Sequence, residues 1–540
     1  MANPSVGLQD LTLAAEKLKV RIGRRKMGVK QITWAFPSGL AWAIAIVVLI
    51  LLLPGNVLPE HTYGNTLTSW RFGVDGANFA AADWIAELND TTSGVNLLTW
   101  ETIEPTPPIN GRHKYNFELA DRLVRRFQDV GRRLQVNIRC ISGWATVCPS
   151  SPTGELAGPP KPEYWDDYAQ FVYELVERYD GDGYKDMPGL ELPILYYQIE
   201  SEPHNLFKGT PEEYVRLLET AYKAAKEANP DVVIMASGWN PGDLFVDNPL
   251  PETVEERLHS DPIIESKFNF ILYVLKNGED YFDVLTIHPS AYYTGIPGMV
   301  DYFKKEMQRL GYQKPIWADD TASAFLETNL FLPTPIPLNA KEIHDILKNP
   351  SDPRYYSTLK GYQAEQSKLL IKRIVVGFGA ELEKIFISTD IDWITYHMDD
   401  WKHQGLIYVH PTKPTIHYRK PAFYTYKLAI EKLTGFVSVQ RISLEREGHC
   451  YKFDFEQRPP VYVLWSDSGE TITDLSPYIS TPTVKITHIV TELDKNNDPI
   501  YHGDDIVPVD SIEVSDTPVF IEPAKITGST IGFCTVTGSS

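Results

Sequence analysis

The chain has 540 residues, with 51 Lys plus Arg against 71 Asp plus Glu and a formal charge of −20. This length exceeds one ordinary domain, and the acidity excludes the broad basic face that a nucleic-acid partner requires. Aromatic residues make up 12% of the chain, with 12 Trp and 29 Tyr, enough for a large core or for stacking platforms in a cleft.

Positive charge is concentrated at the start, where Lys17, Lys19, Arg21, Arg24, Arg25, Lys26 and Lys30 crowd the first thirty residues. An apolar stretch follows over residues 32–54, about 20 residues of spanning length. The expectation is one transmembrane helix, a signal-anchor at the cell membrane. Residues 1–31 would form a basic cytoplasmic tail, and everything after a linker at 55–69 would lie outside the cytoplasm. A cleaved signal peptide is the competing reading, but no small-x-small pattern follows Leu53. Within the tail, Leu8, Leu11, Ala15 and Leu18 recur at helical spacing and fit a short amphipathic helix or a solvated tail.

From residue 70, short apolar runs alternate with amphipathic helical patterns. The predicted strands are Arg71–Val74, Val95–Trp100, Leu134–Cys140, Ile194–Ile199, Val232–Ser237, Phe282–His288, Pro315–Ala318 and Lys384–Ser388. Eight runs with helices between them predict an α/β fold, a closed (β/α)8 TIM barrel over 70–434. Thr210-Pro211-Glu212-Glu213 combines a cap, a first-turn proline and a capping-box glutamate, predicting a helix that runs to Asn229-Pro230. A doubly wound sheet is the alternative, but Gly73-Val74-Asp75-Gly76 is not a phosphate-binding turn. From Gly435 the pattern changes to short alternating segments at 437–439, 450–455, 461–465, 483–490 and 519–521, predicting a small β-sandwich over 435–540.

Cys140, Cys148, Cys450 and Cys534 permit disulfides, and no CxxC or His/Cys cluster points to a metal. Asp494-x-Asn496-x-Asp498 resembles the start of a calcium loop, but Pro499 stands where such a loop needs Gly, so a hairpin turn is expected.

Two apolar runs end in acids. Pro193-Ile-Leu-Tyr-Tyr-Gln-Ile-Glu-Ser-Glu202-Pro-His204 carries Glu202, and Lys314-Pro-Ile-Trp-Ala-Asp-Asp320-Thr321 carries Asp320. Carboxylates ending two strands of one barrel suit glycoside cleavage, which needs a proton donor and a carboxylate facing the anomeric carbon. On an extended strand Glu200 and Glu202 would share a face, and only one of Asp319 and Asp320 would enter the cleft.

With these residues in view, the chain over 70–435 resembles the clan A glycoside hydrolases, and its tail resembles their accessory β-domain. The resemblance rests on Trp100-Glu-Thr-Ile-Glu-Pro105, Tyr115-Asn-Phe, Tyr168-Ala-Gln-Phe-Val172, Ile287-His288 with Tyr292-Tyr293, Gly405-Leu-Ile407 and Arg419-Lys-Pro-Ala-Phe-Tyr424. It implies a membrane-anchored glycoside hydrolase with Glu202 as general acid/base and Asp320 as nucleophile or stabiliser. Ser201 stands where the family has Asn, and Asp320 where it has Glu, shorter by roughly 1.5 Å. Ser201, Glu200, Asp319, His288, Tyr293 and Trp393 are the implied substrate-binding residues, the partner is a carbohydrate, and no cofactor is implied. The alternative is a barrel without catalysis, serving as a carbohydrate-binding or structural subunit of a cell-envelope assembly.

Overall fold

The computed structural model describes residues 70–524, apart from 77–78, 80–81, 89–90, 149–155, 290–291, 323–339, 395–400 and 445–447. The described residues belong to one compact unit spanning 65–540. The expected membrane span and cytoplasmic tail lie outside them. Among the described residues no helix is long and apolar enough to cross a membrane.

Eight parallel strands close into a barrel in chain order: β1 (Phe72–Asp75), β2 (Thr91–Thr99), β3 (Arg133–Arg139), β4 (Tyr196–Ile199), β5 (Val233–Trp239), β6 (Val284–Ile287), β7 (Ile316–Ala322) and β8 (Ile385–Ser388). Each matches one of the eight runs predicted from the sequence. The larger helices around them are α1 (Glu118–Gln128), α2 (Trp165–Glu177), α3 (Pro211–Ala228), α4 (Pro262–Asn277), α5 (Ile296–Leu310), α6 (Tyr355–Gly379) and α7 (Pro421–Leu433). The start of α3 is as the sequence dictates: the Glu213 amide donates to Thr210 Oγ1, and Glu213 Oε2 accepts from the Thr210 amide. This reciprocal pair satisfies two amides that the first helical turn would otherwise leave unpaired.

The period of two along the strands sorts side chains between the helix layer and the barrel interior. Tyr197, Ile199, Leu285 and Ala318 join the main hydrophobic cluster with the helices. The alternate positions Tyr196, Met235, Val284 and Trp317 form a separate cluster at the floor of the barrel. Lys384, one residue before β8, reaches into this floor. It is 1% exposed, with Nζ 3.9 Å from the Tyr196 ring centre and 4.3 Å from that of Trp317. Among the described residues no acceptor reaches its Nζ. Above the floor lie amides and a hydroxyl: Gln198 Nε2 donates to Thr286 Oγ1 at 3.5 Å, and Gln135 Nε2 donates to Asp319 Oδ2 at 3.3 Å. The interior thus becomes steadily more polar toward the C-terminal ends of the strands, where barrel active sites are built.

The β-rich tail forms a six-stranded antiparallel sheet, in spatial order 438–442, 449–454, 461–465, 519–523, 483–488 and 505–508, plus a two-stranded sheet of 471–473 and 512–514. One face of the larger sheet, with Tyr451, Phe453, Val461, Val463 and Trp465, belongs to the same hydrophobic cluster as the barrel. The other face, with Cys450, Tyr462 and Leu464, clusters with Ile512 and Val514 of the smaller sheet. Ion pairs reinforce the contact with the barrel: Lys372 to Asp467 at 2.7 Å, Lys368 to Asp516 at 2.6 Å, and Lys432 to Glu522. Cys140 and Cys450 are buried free thiols, and Cys534 lies outside the described residues. Residues 494–498 form the expected turn, with the Asn496 and Asp498 amides donating to Asp494 Oδ1 and a bridge between Leu493 and Pro499.

Candidate active site

The mouth of the barrel is organised around one imidazole. His288 follows β6 directly, and its amide donates to the Trp239 carbonyl at 3.0 Å. Its ring lies over Gly238, where a Cβ would stand 2.1 Å from His288 Nε2, so only glycine fits at this position of β5. His288 Nδ1 donates to Glu202 Oε1 at 2.9 Å and lies 3.8 Å from Asp320 Oδ2, while Nε2 lies 3.4 Å from Asp319 Oδ1. Glu202 and Asp320 therefore face the same nitrogen, which limits their nearest carboxylate oxygens to a separation of at most about 7 Å. Glu202 is 21% exposed and Asp320 38%, so both reach the solvent at the mouth.

Backbone irregularities create this convergence. β4 ends at Ile199, and both Glu200 and Glu202 take left-handed φ values, 68° and 42°. Such φ values are costly for residues with a Cβ and are held by their surroundings. Strand alternation stops there, so Glu200 and Glu202 do not share a face as expected. Glu200 is buried, accepting from Arg139 Nε at 2.9 Å and from the Cys140 amide, and it takes no part at the mouth. Ser201, between them, is half-buried. On β7 the register with β8 shifts between Ala318 and Thr321, placing Asp319 and Asp320 in a bulge. The bulge removes the expected choice between neighbours: both aspartates approach His288, Asp319 from the interior and Asp320 from the solvent side.

One expected site residue falls elsewhere. Tyr293 is fully buried against the tail; its hydroxyl donates to Asp467 and accepts from Trp465 Nε1 at 3.3 Å. The short 3-10 turn 293–295 carries it to that interface, so the reading of Tyr293 as a cleft residue is corrected. Trp393 lies on a two-residue strand paired with 401–402, and its side chain is outside the described atoms.

Three further residues belong to the mouth. Asn205 Nδ2 donates to Glu202 Oε2 at 2.9 Å, and Asn240 Nδ2 donates to Glu202 Oε1 at 3.3 Å. Asp75, at the end of β1, feels the charges of Asp320 and Asp319. Each follows or ends a barrel strand, and that position was the available signal.

The electrostatics separate the acids. Burial opposes the charge on Glu202, but the hydrogen bond and charge of His288, with the Asn205 amide, pull its carboxyl down to about 2. Burial also opposes the charge on His288, but Asp319, Glu202 and Asp320 hold it well above the ordinary histidine range. Asp320 moves the other way. Although partly exposed, it is disfavoured as an anion by the surrounding protein and by Glu202 and Asp319, which outweigh the help from His288 and Ser388. Asp75 is pushed well above the carboxylate range by burial, then by Asp320 and Asp319. The mouth thus sets a Glu202 that keeps its charge to low pH beside a His288 and an Asp320 that each hold a proton more tightly than the free side chain.

No protein-family model and no curated protein matches the chain. Solved structures do. The chain is similar to a family 39 glycoside hydrolase from Bacteroides cellulosilyticus, with 85% of this chain and 82% of that one covered, a TM-score of 0.53 and 13% identity. A glucosidase from Croceicoccus marinus aligns over 85% of this chain and 97% of its own, with a TM-score of 0.51 and 11% identity. A family 39 β-xylosidase from Caulobacter crescentus aligns over 85% and 96%, with a TM-score of 0.50 and 11% identity. At such identities the likeness is one of fold. The chain has a glycosidase-like fold.

Proposed function

We propose that the chain is a glycoside hydrolase that cleaves glycosidic bonds with Glu202 and Asp320. The observation that carries this reading is the pairing of the two carboxyls on one imidazole, with their proton affinities driven apart. An acid and an ionised carboxylate within about 7 Å are what glycoside cleavage requires. The charge distribution favours roles opposite to those implied by the family resemblance. Asp320 carries the transferable proton to the leaving oxygen. Glu202, held by His288, Asn205 and Asn240, keeps its charge toward the anomeric carbon. Glu202 and Asp319 add negative potential that favours the Asp320 proton. The substrate is a carbohydrate, and the apolar stretch 32–54 anchors the barrel outside the cytoplasm. Protease added to right-side-out vesicles should then digest the barrel and spare the first thirty residues.

A panel of aryl glycosides and oligosaccharides tests the chemistry. Asp320→Asn should spare turnover of an aryl glycoside with a good leaving group, which needs little protonation, and lose turnover of the saccharide. Glu202→Gln should lose both. The mirror-image result would return the acid role to Glu202. A second reading, a saccharide-binding barrel without turnover, is favoured by one feature: His288 already occupies the oxygen of Glu202 that faces Asp320. Saccharide binding by a wild type that turns over no member of the panel would decide for it.

A further inference from the structure

The floor of the barrel carries three cations that glycoside cleavage does not use. Phe72, Leu134 and Ile385 belong to the hydrophobic cluster shared with the helices. The period of two therefore turns the residue before each of them, Arg71, Arg133 and Lys384, toward the barrel axis. Arg71 precedes β1, Arg133 opens β3 and Lys384 precedes β8. β1 and β8 are neighbours, and the Ile385 amide donates to the Arg71 carbonyl at 2.9 Å. Aromatic rings hold all three cations. The guanidinium carbon of Arg71 lies 4.3 Å from the centre of the Phe436 ring, that of Arg133 lies 4.9 Å from the Trp70 ring, and Lys384 Nζ sits between Tyr196 and Trp317. A ring face attracts a cation but offers no lone pair to its N–H groups.

The donors left over point to a ligand. Arg71 Nε, Arg133 Nε and Lys384 Nζ are all buried, and among the described residues no acceptor reaches any of them. Lys384 is 1% exposed, so bulk water does not make up the loss. The three groups are close enough to repel one another. Burial, then the charges of Arg133 and Arg71, push Lys384 down to about 7, with Glu383 acting against them. The charge of Arg133 also reaches Tyr196. Among the described residues Glu383 is the acid felt by both Lys384 and Arg71, and its Oε2 already accepts from Trp317 Nε1 at 3.3 Å. Three cations against one carboxylate leave an excess of positive charge. Arg71 and Arg133 are half-buried, so this end of the barrel is reached from solution.

We propose that Arg71, Arg133 and Lys384 form a binding site for a free tetrahedral oxyanion, sulfate or phosphate, at the N-terminal end of the barrel. A doubly charged anion offsets the excess charge, which chloride or a single carboxylate does only in part. Its oxygens suit the planar guanidinium, which donates two parallel N–H bonds to such a group, and the ammonium behind adds a point charge. Lys384 is closed to solvent, so an anion that bridges it to both arginines is enclosed and has no oxygen left to carry an ester. The site lies at the opposite end of the barrel from Glu202 and Asp320. The anion therefore ties together the starts of β1, β3 and β8 and acts on stability, remote from the reaction.

The test titrates the full chain with Na2SO4 by calorimetry and thermal melting, at constant ionic strength balanced with NaCl. One sulfate per chain should bind saturably and raise the Tm by several degrees over NaCl alone. Sulfate also stabilises proteins without binding them, so variants carry the decision. Arg133→Gln and Lys384→Met should each bind sulfate at least tenfold more weakly. Lys495→Gln, which removes an exposed charge in the turn of the tail, should titrate like wild type. The wild type supplies a further readout that needs no variant. Sulfate does not titrate near neutral pH, burial holds the Tyr196 hydroxyl above its ordinary value, and Lys384 titrates near about 7. Affinity should therefore be flat at acid pH and fall above about 7, approaching tenfold per pH unit, and Lys384→Met should lose that fall. Phenyl phosphate should bind at least tenfold more weakly than sulfate. No saturable heat, an affinity independent of pH, a wild-type titration from Arg133→Gln or Lys384→Met, or equal binding of phenyl phosphate would each overturn the assignment. None of these results depends on whether the mouth cleaves glycosides.

Discussion

At the mouth of the barrel His288 is surrounded by Glu202, Asp319 and Asp320, and at the floor Lys384 is held between the rings of Tyr196 and Trp317. Burial is nearly complete for both, yet their proton affinities move in opposite directions. The carboxylates hold His288 well above its ordinary range. Burial, followed by the charge of Arg133, pushes Lys384 down to about 7, and Glu383 only partly offsets this. The aromatic faces attract a cation but supply no hydrogen bond and no full opposite charge. Burial alone therefore does not set the charge of a group inside this barrel; its neighbours do. The mouth has its charges held by one another, whereas the floor keeps an amine that barely retains its proton at neutral pH.

The sharpest way to break the comparison is at Gly238. A Cβ there would stand 2.1 Å from His288 Nε2, so Gly238→Ala must expel the ring and strand the acids it bridges. Urea unfolding should show a loss on the order of 4 kcal/mol. Wild-type stability in this variant would mean that the imidazole is not the keystone of the mouth.

Replacing the ring itself should cost somewhat less. His288→Asn keeps one donor but removes the charge, and a loss of about 3 kcal/mol is expected at pH 6. The pH profile tests the cause. The folded pKa of His288 is raised, so its contribution is full below about 6.5 and is lost as pH rises through the folded value. The folded pKa of Glu202 is lowered to about 2, so its contribution is full above about 4.3 and is lost as pH falls through the folded value. The bridge is thus strongest between about pH 4.5 and 6.5. Melting curves should show the wild type losing stability on the alkaline side of that window and His288→Asn losing much less. Parallel profiles would refute the bridge.

The smallest expected effect is a gain at the floor. Lys384→Met keeps the length of the side chain and removes an amine without an acceptor, and about 1 kcal/mol of stabilisation is expected at pH 7. In the unfolded chain Lys384 takes up a proton below about 10.4, whereas in the folded protein it does so only near 7. Wild-type stability should therefore fall as pH drops between these values, and the variant should lose that slope. A destabilised Lys384→Met would make the ring contacts worth more than the buried charge costs.

The barrel was legible because its strands announce themselves as apolar runs between capped helices, as Thr210 and Glu213 illustrate at α3. The placement of Glu202, His288 and Asp320 at the barrel mouth could also be read, because they sit at strand ends. What could not be read is where the strand period fails. Pure alternation puts Glu200 beside Glu202 and separates Asp319 from Asp320. The left-handed residues after β4 and the bulge in β7 do the reverse, and no local signal marks either. Tyr293 was misplaced for a different reason: its partner Asp467 is 174 residues away in sequence. Asp75, Asn205 and Asn240 were overlooked because a single polar residue after a strand is common, and only the closed barrel brings these three to one rim.

The topology of the tail constrains how the chain comes to be folded. The strand Val519–Pro523 pairs with Val461–Trp465 on one side and with Thr483–His488 on the other, so it sits inside the six-stranded sheet although it comes last among the described strands. During synthesis the eight barrel strands are complete by Ser388, but the sheet that covers the flank of the barrel cannot close until the chain has grown past residue 519. For that interval the growing protein exposes an apolar flank and two unpaired strand edges, the surfaces through which half-made proteins associate. The strand Val519–Pro523 is therefore the one that ends this exposure, and a chain released before it would be prone to aggregate.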